Sequence, residues 1–273
     1  MFARTSLGVF VAALFAGGAT IAQGLPPVLP IGKTIADEYR QQFALCDEND
    51  TFYKVQFPLT DTNGHFFYQC NTNRSNLVRL EKIEADPAKG TPEAIIIGSK
   101  IALDNDGSAS ACSSNHGHTD QCSTALMLFD QTKCPWDPNK DGCVPVDADS
   151  VPYVVLPTAS PAGHPEIDGH QFRTVTGLRI GDYGVVIAHG KVVSVIIADG
   201  GPANKIGEGS GALLKKLSKK GEPTPIDDGA VFILFPRTRD PVRTLTNEAL
   251  ASQNKGINCY RKLVGQGGDC TVQ

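Results

Sequence analysis

Two acidic residues, Asp199 and Glu208, lie nine positions apart in a glycine-rich part of the chain. Asp199 follows an apolar run and precedes Gly200-Gly201-Pro202, and Glu208 lies within Gly207-Glu208-Gly209. Hydrolysis of a glycosidic bond needs two carboxyl groups held in place, one to protonate the leaving oxygen and one to activate water or attack the sugar. The two residues are therefore a candidate catalytic pair.

A structural interpretation of the same pair is also open. An aspartate before two glycines is common in turns, where its side chain bonds nearby backbone. A glutamate just before a helix is favoured by the positive end of the helix dipole. The spacing alone does not separate this interpretation from the catalytic one.

The surrounding sequence indicates how the pair is positioned. The run 192–198 is rich in β-branched residues and predicts a strand, which Gly-Gly-Pro should end at Asp199. Ser210 is a good N-cap for a helix over 211–218, whose leucines fall on one face. We therefore expect Asp199 at a strand end and Glu208 just before a helix.

Most other predicted elements are strands. Asn63-Gly64 between two apolar runs is a hairpin signal, and further strands are predicted over 93–103, 126–130, 153–156 and 184–189. Helices are predicted over 35–44, 211–218 and 246–252. The pattern favours a mainly β protein, a β-rich barrel with a few short helices and disulfide-tied loops.

Several short segments, in the same order along the chain, resemble the signature of the glycoside hydrolase family 75 chitosanases. The central segments are Ile180-Gly181-Asp182-Tyr183-Gly184-Val185-Val186-Ile187, Ala198-Asp199-Gly200-Gly201-Pro202 and Lys205-Ile206-Gly207-Glu208-Gly209-Ser210. Weaker likeness is found at 104–107, 151–157 and 229–236, so that the resemblance covers about residues 94 to 240.

The resemblance implies a fold and an activity. It suggests a six-stranded barrel of the double-psi kind that hydrolyses the β-1,4-glucosamine linkages of chitosan internally and by inversion, without cofactor or metal. The family's two essential carboxylates fall on Asp199 and Glu208. Inverting enzymes hold such groups about 6.5–9.5 Å apart to admit a water, whereas retaining enzymes hold them about 5–5.5 Å apart.

The roles of the two carboxylates remain open at this point. Proximity to a helix N-terminus would lower the pKa of Glu208 and suit a base, whereas the resemblance favours Asp199 as base and Glu208 as acid. The family pattern also has threonine where this chain has Gly200, so a hydroxyl is missing. That departure keeps a rival hypothesis open, a secreted β-barrel protein that binds polysaccharide without cleaving it.

Four further residues are candidates for substrate binding: Asp104, Asp106, Asp182 and Trp136. A cluster of aspartates would attract a cationic glycan, and each could equally be a solvated loop acid. The indole of Trp136 could stack on a sugar or fill the core. The Asp104-x-Asp106-Gly107 segment lacks the later ligands of a calcium loop, so we predict no metal.

The eight cysteines are an even number, which is typical of a disulfide framework in an exported protein. Their clustering suggests the pairs Cys46–Cys70, Cys112–Cys122, Cys134–Cys143 and Cys259–Cys270. A zinc site formed by Cys112, Cys122 and the histidines between them is the alternative, and the even count and predicted export favour the disulfide.

The start of the chain predicts export. Residues 1–22 have the basic start, short apolar core and small-residue end of a signal peptide, 23–34 form a proline-rich lead-in, and 35–273 form one catalytic domain. We expect a secreted monomer that binds chitosan polymer or oligosaccharides. The net charge of −4 argues against nucleic-acid binding, and no membrane association is expected after signal removal.

Overall fold

The computed structural model describes residues 56–60, 65–72, 74–113, 120–129, 143–159, 170–202 and 206–272. The predicted signal peptide, the lead-in and the helix over 35–44 lie outside these residues. Within the described ranges, no helix has the length and apolar character needed to cross a membrane.

Strands dominate the described chain. They are β1 (Gln56–Thr60), β2 (His65–Thr72), β3 (Arg74–Ile83), β4 (Ala94–Asp104), β5 (Met127–Leu128), β6 (Val144–Pro145), β7 (Tyr153–Ala159), β8 (Tyr183–Ala188), β9 (Lys191–Pro202), β10 (Glu208–Ser210) and β11 (Ile226–Phe235). The α-helices are α1 (Ala109–Cys112), α2 (Gln171–Thr176), α3 (Gly211–Leu217), α4 (Asn247–Ser252) and α5 (Lys255–Leu263), with a 3₁₀ turn at Val242–Thr244. The prediction of a mainly β protein with few short helices is confirmed.

Nine strands form one mixed sheet in the order β1-β2-β3-β4-β10-β7-β9-β8-β11, and β5 and β6 pair separately. The β4–β10 and β7–β9 pairs are parallel, and the other neighbours are antiparallel. Strand β11 also pairs with β4. Each of β4, β10, β7, β9, β8 and β11 therefore pairs with two other strands of this set.

The predicted end of the strand at Asp199 is wrong, because β9 continues through Gly200 and Gly201 to Pro202. Strand β7 makes this possible by offering parallel partners to the extension, with Asp199 opposite Val155 and Gly200 opposite Leu156. Pairing with a neighbouring strand outweighs the weak intrinsic strand preference of glycine and proline. Asp199 consequently lies inside a paired strand.

The main core lies between the strands and α3. Its buried side chains come from β4, β7, β8, β9 and β11, together with α2 and three leucines of α3. A second cluster lies under α5, where Cys259, Tyr260 and Leu263 cover β8 and β11. All six residues of β8 are therefore buried, since both faces of the strand are covered.

Helix α3 begins where the sequence predicts, and α4 confirms the helix predicted over 246–252. Helix α5 was not predicted, although its buried positions Gly256, Cys259, Tyr260 and Leu263 have helical spacing. At Gly256, an added Cβ would lie 1.7 Å from the carbonyl oxygen of Gly184, so the helix packs directly on the backbone of β8. A helix that packs through a glycine gives a weak signal in the sequence.

Two of the four predicted disulfides are present, Cys112–Cys122 and Cys259–Cys270. The first closes the loop after α1. Cys112 and Cys122 therefore form a disulfide and not the alternative zinc site. The second ties α5 to the end of the chain. Cys143 is disulfide-bonded as well. Its predicted partner Cys134, and Cys46, the predicted partner of Cys70, lie outside the described residues.

Candidate active site

Asp199 is buried, with 7% of its surface exposed. Its Oδ1 accepts hydrogen bonds from the backbone amides of Ala125 and Gly200, each at 2.8 Å. Two amide donors on one oxygen favour the ionised carboxylate. The side chain is thus fixed from its own strand and from the loop before β5.

Asp104 and Asp106 lie beside Asp199. Strand β4 ends at Asp104, whose Oδ1 accepts the backbone amide of Asp106 at 3.1 Å. The chain then turns through Gly107, which has φ +79° and would place a Cβ 2.2 Å from the carbonyl oxygen of Val146. Only glycine fits this turn without displacement. One carboxylate oxygen from each of the three aspartates lies within 4.8 Å of the others.

The three aspartates form what we call the carboxyl cluster. Burial raises the pKa of Asp104 and of Asp106 to about 7, and the neighbouring acids add to both shifts. Burial also raises the pKa of Asp199, whose two amide donors oppose the shift. The carboxyl groups of Asp106 and Asp199 interact, with one oxygen of each within 4.8 Å of the other, and this proximity raises the pKa of Asp106. Asp199 Oδ1 accepts two backbone amides and Asp106 Oδ1 accepts one, from Gln121, so Asp199 has the stronger support for its ionised form.

Tyr153, the first residue of β7, is also a part of the site. Its ring is fully buried, and its hydroxyl donates to the backbone oxygen of Asp106 at 2.9 Å. Burial and the nearby carboxylates hold its pKa above the usual value, so the hydroxyl stays protonated. This hydrogen bond fixes the backbone of Asp106 next to the cluster. In the sequence, the only indication of this role is that Tyr153 begins a predicted strand.

One oxygen of the cluster has no protein partner. Asp104 Oδ2 is buried and accepts no hydrogen bond within the described part of the chain. A buried acceptor without a donor is costly, and protonation of the carboxyl group reduces that cost. Asp104, Asp106 and Asp199 are also the described residues that could hold a metal ion, since carboxylate oxygens suit hard cations.

Glu208 approaches the same region from β10. This strand is held between β4 and β7, with Glu208 opposite Ala102 and Gly209 opposite Val154. Ser210 fixes the strand: its hydroxyl donates to Val151 O at 2.7 Å and accepts the amides of Tyr153 and Leu213. Ser210 is also the N-cap of α3, as predicted.

The Glu208 carboxyl group lies against the backbone of β9. An added Cβ at Gly201 would be 3.1 Å from Glu208 Oε2, so the glycine leaves room for this side chain. Glu208 is half-buried and raises the pKa of Asp104 through its charge. It does not lie within 4.8 Å of all three members of the carboxyl cluster. The structure thus places Asp199, Glu208, Asp104 and Asp106 in one region. The three aspartates form the carboxyl cluster, and Glu208 lies outside it.

Asp182 does not belong with these residues, and its predicted contact with substrate is not supported. Its side chain is fully buried. Oδ2 accepts the amide of Arg179 at 2.9 Å, and Oδ1 accepts those of Thr238 and Arg239 at 2.8 and 3.2 Å. The carboxylate therefore joins the loop before β8 to the turn after β11, and it has no exposed surface for a sugar.

Three further features of the sequence remain: Trp136, the histidines at 116 and 118, and the glycine at 200. Trp136 and the histidines at 116 and 118 lie outside the described residues. At Gly200, where the family pattern has a threonine, an added Cβ would lie 2.1 Å from the hydroxyl oxygen of Thr158. The space next to Gly200 is therefore already filled by a threonine from β7.

Comparison with known proteins does not place the chain. No protein-family model matches it, and no significant match was found among curated proteins. Its function therefore has to be inferred from the residues and their geometry.

Proposed function

We propose that this protein is a secreted glycoside hydrolase that cleaves chitosan internally, at β-1,4-glucosamine linkages, and with inversion. The observation that supports this most is the convergence of Glu208 on the part of β9 that carries Asp199. The glutamate reaches Gly201 from β10, while Asp199 lies two residues earlier on the same strand. Two carboxyl groups held on strands of one sheet, here β9 and β10 on either side of β7, are the minimum requirement for glycoside hydrolysis.

Asp199 is assigned as the general base. Its two amide donors favour the ionised form and keep the carboxylate oriented. A carboxylate whose pKa is raised toward neutrality is a stronger base than an exposed aspartate. In the reaction, water attacks the anomeric carbon and gives its proton to Asp199.

Glu208 is assigned as the general acid. It donates its proton to the glycosidic oxygen as the bond to the anomeric carbon breaks, so one sugar leaves with a new hydroxyl and the other gains the hydroxyl from water. The half-buried position of Glu208 leaves the group within reach of a polymer at the surface. Neither step needs a cofactor.

The carboxyl cluster supports the choice of a cationic polymer. Asp104 and Asp106 are half-buried beside Asp199, and Asp104 Oδ2 has no protein donor within the described residues. The Oδ2 atom itself is buried, but the charge of the clustered acids would attract a glucosamine ammonium group at the surface. A neutral glycan would gain less from the same site, which favours a substrate with free amino groups.

The proposed fold is a six-stranded barrel of the double-psi kind within one domain over residues 35–273. The support is the set of pairings in which each of six strands pairs with two others, with two parallel pairs, β4–β10 and β7–β9. The disulfides are compatible with an oxidising compartment and hence with secretion.

The rival function is a secreted protein that binds polysaccharide without cleaving it. The feature in its favour was the missing hydroxyl after Asp199. Thr158 weakens that argument, because its hydroxyl occupies the space beside Gly200 from the neighbouring strand. Hydrolysis is therefore the better supported of the two.

The decisive experiment measures reducing-end release from highly deacetylated chitosan. We expect release by the wild type and none above background with Asp199→Asn or Glu208→Gln. Asp269→Asn and Glu222→Gln are matched controls, since both residues are exposed and remote in sequence from the site. Chitosan binding without release by the folded wild type would reject the hydrolase and support the binding protein.

A further inference from the structure

A polar cavity lined by arginines contains none of the residues of the carboxyl cluster and carries the opposite charge. It has a volume of about 420 Å³ and is lined by Arg173, Thr174, Arg179, Ile180 and Arg239. Arg173 and Thr174 come from α2, Arg179 and Ile180 from the loop before β8, and Arg239 from the turn after β11. We call this cavity the arginine pocket; its volume is in the range of small-molecule sites.

The backbone under the arginine pocket is rigidly held. The buried Asp182 carboxylate accepts the amides of Arg179 and Arg239, which joins the two loops. Thr238 adds a second link, because its hydroxyl accepts the amide of Tyr183 at 2.8 Å and donates to Phe235 O at 2.7 Å. The three arginines are thus exposed side chains on a fixed frame, which limits the entropy lost when they bind a ligand.

The three guanidinium groups have no anionic partner within the described chain. Other cations nearby are paired: Arg237 with Glu93, and Lys255 with Asp240. Asp240, the acid next to Arg239 in sequence, is further engaged by the hydroxyl of Tyr183 at 3.0 Å. Asp182 is occupied by backbone amides. Three positive charges therefore line one cavity, and no acidic side chain among the described residues is paired with them.

We infer that the arginine pocket binds a tetrahedral oxyanion, a phosphate or sulfate group, either free or as a substituent of a carbohydrate. Guanidinium groups present rigid pairs of donors that match the oxygens of such groups. Three of them suit a group that carries two negative charges. A glucosamine polymer is itself cationic, so this ligand would be distinct from the proposed substrate, and the inference does not depend on the proposed function.

The test measures binding of inorganic phosphate to the full chain by titration calorimetry at constant ionic strength. The triple variant Arg173→Gln, Arg179→Gln, Arg239→Gln should fold normally, because the bonds to Asp182 come from backbone amides. We expect its affinity for phosphate to be at least about tenfold weaker than that of the wild type. Arg261→Gln is the matched control, an exposed arginine of α5 outside the pocket, and should bind like the wild type.

Two further titrations identify the source of the anion. Glucose 6-phosphate tests for an esterified sugar, and sulfate tests for selectivity between tetrahedral anions. Tighter binding of glucose 6-phosphate than of phosphate, lost in the triple variant, would support a substituted carbohydrate as the ligand. Equal binding by the wild type and the triple variant, or no binding beyond that of chloride for any of the three ligands, would overturn the proposal.

Discussion

Asp182 and Asp199 are both buried aspartates, the first just before β8 and the second within β9, and the structure uses them differently. Both accept backbone amides, three in the case of Asp182 and two in the case of Asp199. At Asp182 these donors occupy both oxygens. At Asp199 they occupy Oδ1 alone, and one oxygen of this carboxyl group lies within 4.8 Å of an oxygen of Asp104 and of Asp106.

The difference separates a buried acid with a structural role from the one that we propose is functional. Burial raises the pKa of both residues, so neither exposure nor pKa direction identifies the functional one. The distinguishing feature is the neighbourhood: amide donors from two loops at Asp182, and other carboxyl groups at Asp199. Bringing like charges together costs stability. A purely structural role does not require that cost, whereas functional sites often carry it.

The largest effect is expected for catalysis at Asp199. We expect Asp199→Asn to lower chitosan hydrolysis at least about a thousandfold, because the base is lost. Stability should not fall, since the asparagine oxygen can still accept both amides and its NH₂ can donate to Asp106. Thermal unfolding and reducing-end assays on the same sample check both parts. A variant that unfolds easily would make Asp199 resemble Asp182 and remove the contrast.

The reverse outcome is expected for Asp182. Asp182→Ala leaves three buried amides without an acceptor and should lower the free energy of unfolding by about 3–5 kcal/mol. Asp182→Asn should cost less, because one oxygen remains for Thr238 and Arg239. Urea unfolding measures both. If the folded fraction of Asp182→Ala is as stable as wild type, the assignment of Asp182 as the link between the two loops is wrong.

The third prediction concerns the pH dependence that the carboxyl cluster creates. The pKa of Asp104 is raised from 3.8 to about 7, so the folded state holds this proton more tightly than the unfolded chain. The resulting stability is present below the ordinary pKa and is lost as the pH rises through about 7. We therefore expect Asp104→Asn to gain stability relative to wild type as the pH rises.

The comparison of interest is the difference in unfolding free energy between Asp104→Asn and wild type, measured at about pH 5 and at about pH 8. The difference should shift in favour of the variant at the higher pH. Asp269→Asn, an exposed acid, should show no such shift. An equal difference at both pH values would mean that Asp104 titrates normally and that the cluster is not under charge strain.

The sequence was informative wherever one residue and its neighbours along the chain decide the structure. Ser210 was predicted as a helix cap from local pattern, and the Cys112–Cys122 and Cys259–Cys270 pairs from proximity in the chain; all three are present. The extension of β9 past Asp199 was missed because it depends on β7, more than forty residues earlier. Local preferences carry no information on such a partner.

The candidate site divides in the same way. Asp199, Glu208, Asp104 and Asp106 were named from their types and from family resemblance, and the structure brings them together. The structural role of Asp182 could not be read from the sequence, since its partners at 238 and 239 are distant in the chain. The same holds for Tyr153, whose hydroxyl bonds a backbone oxygen forty-seven positions away.

The smallest expected effect concerns Thr158 and Gly200, which lie beside the catalytic strand. A Cβ at residue 200 would lie 2.1 Å from Thr158 Oγ1 and 3.2 Å from Thr158 Cβ. Gly200→Thr therefore forces Thr158 to move and should lower both stability and activity. Thr158→Ala alone removes a half-buried hydroxyl and should lower activity by only about threefold to tenfold.

The double variant Thr158→Ala, Gly200→Thr decides whether the two positions supply one hydroxyl between them. Removing Thr158 makes room for a threonine at 200, so the double variant should recover activity relative to Gly200→Thr, with a coupling of about 1 kcal/mol or more. Independent, additive losses would mean that Thr158 only fills space. Asp199 would then lack the hydroxyl that the chitosanase-like pattern places after it, which would favour the non-catalytic rival.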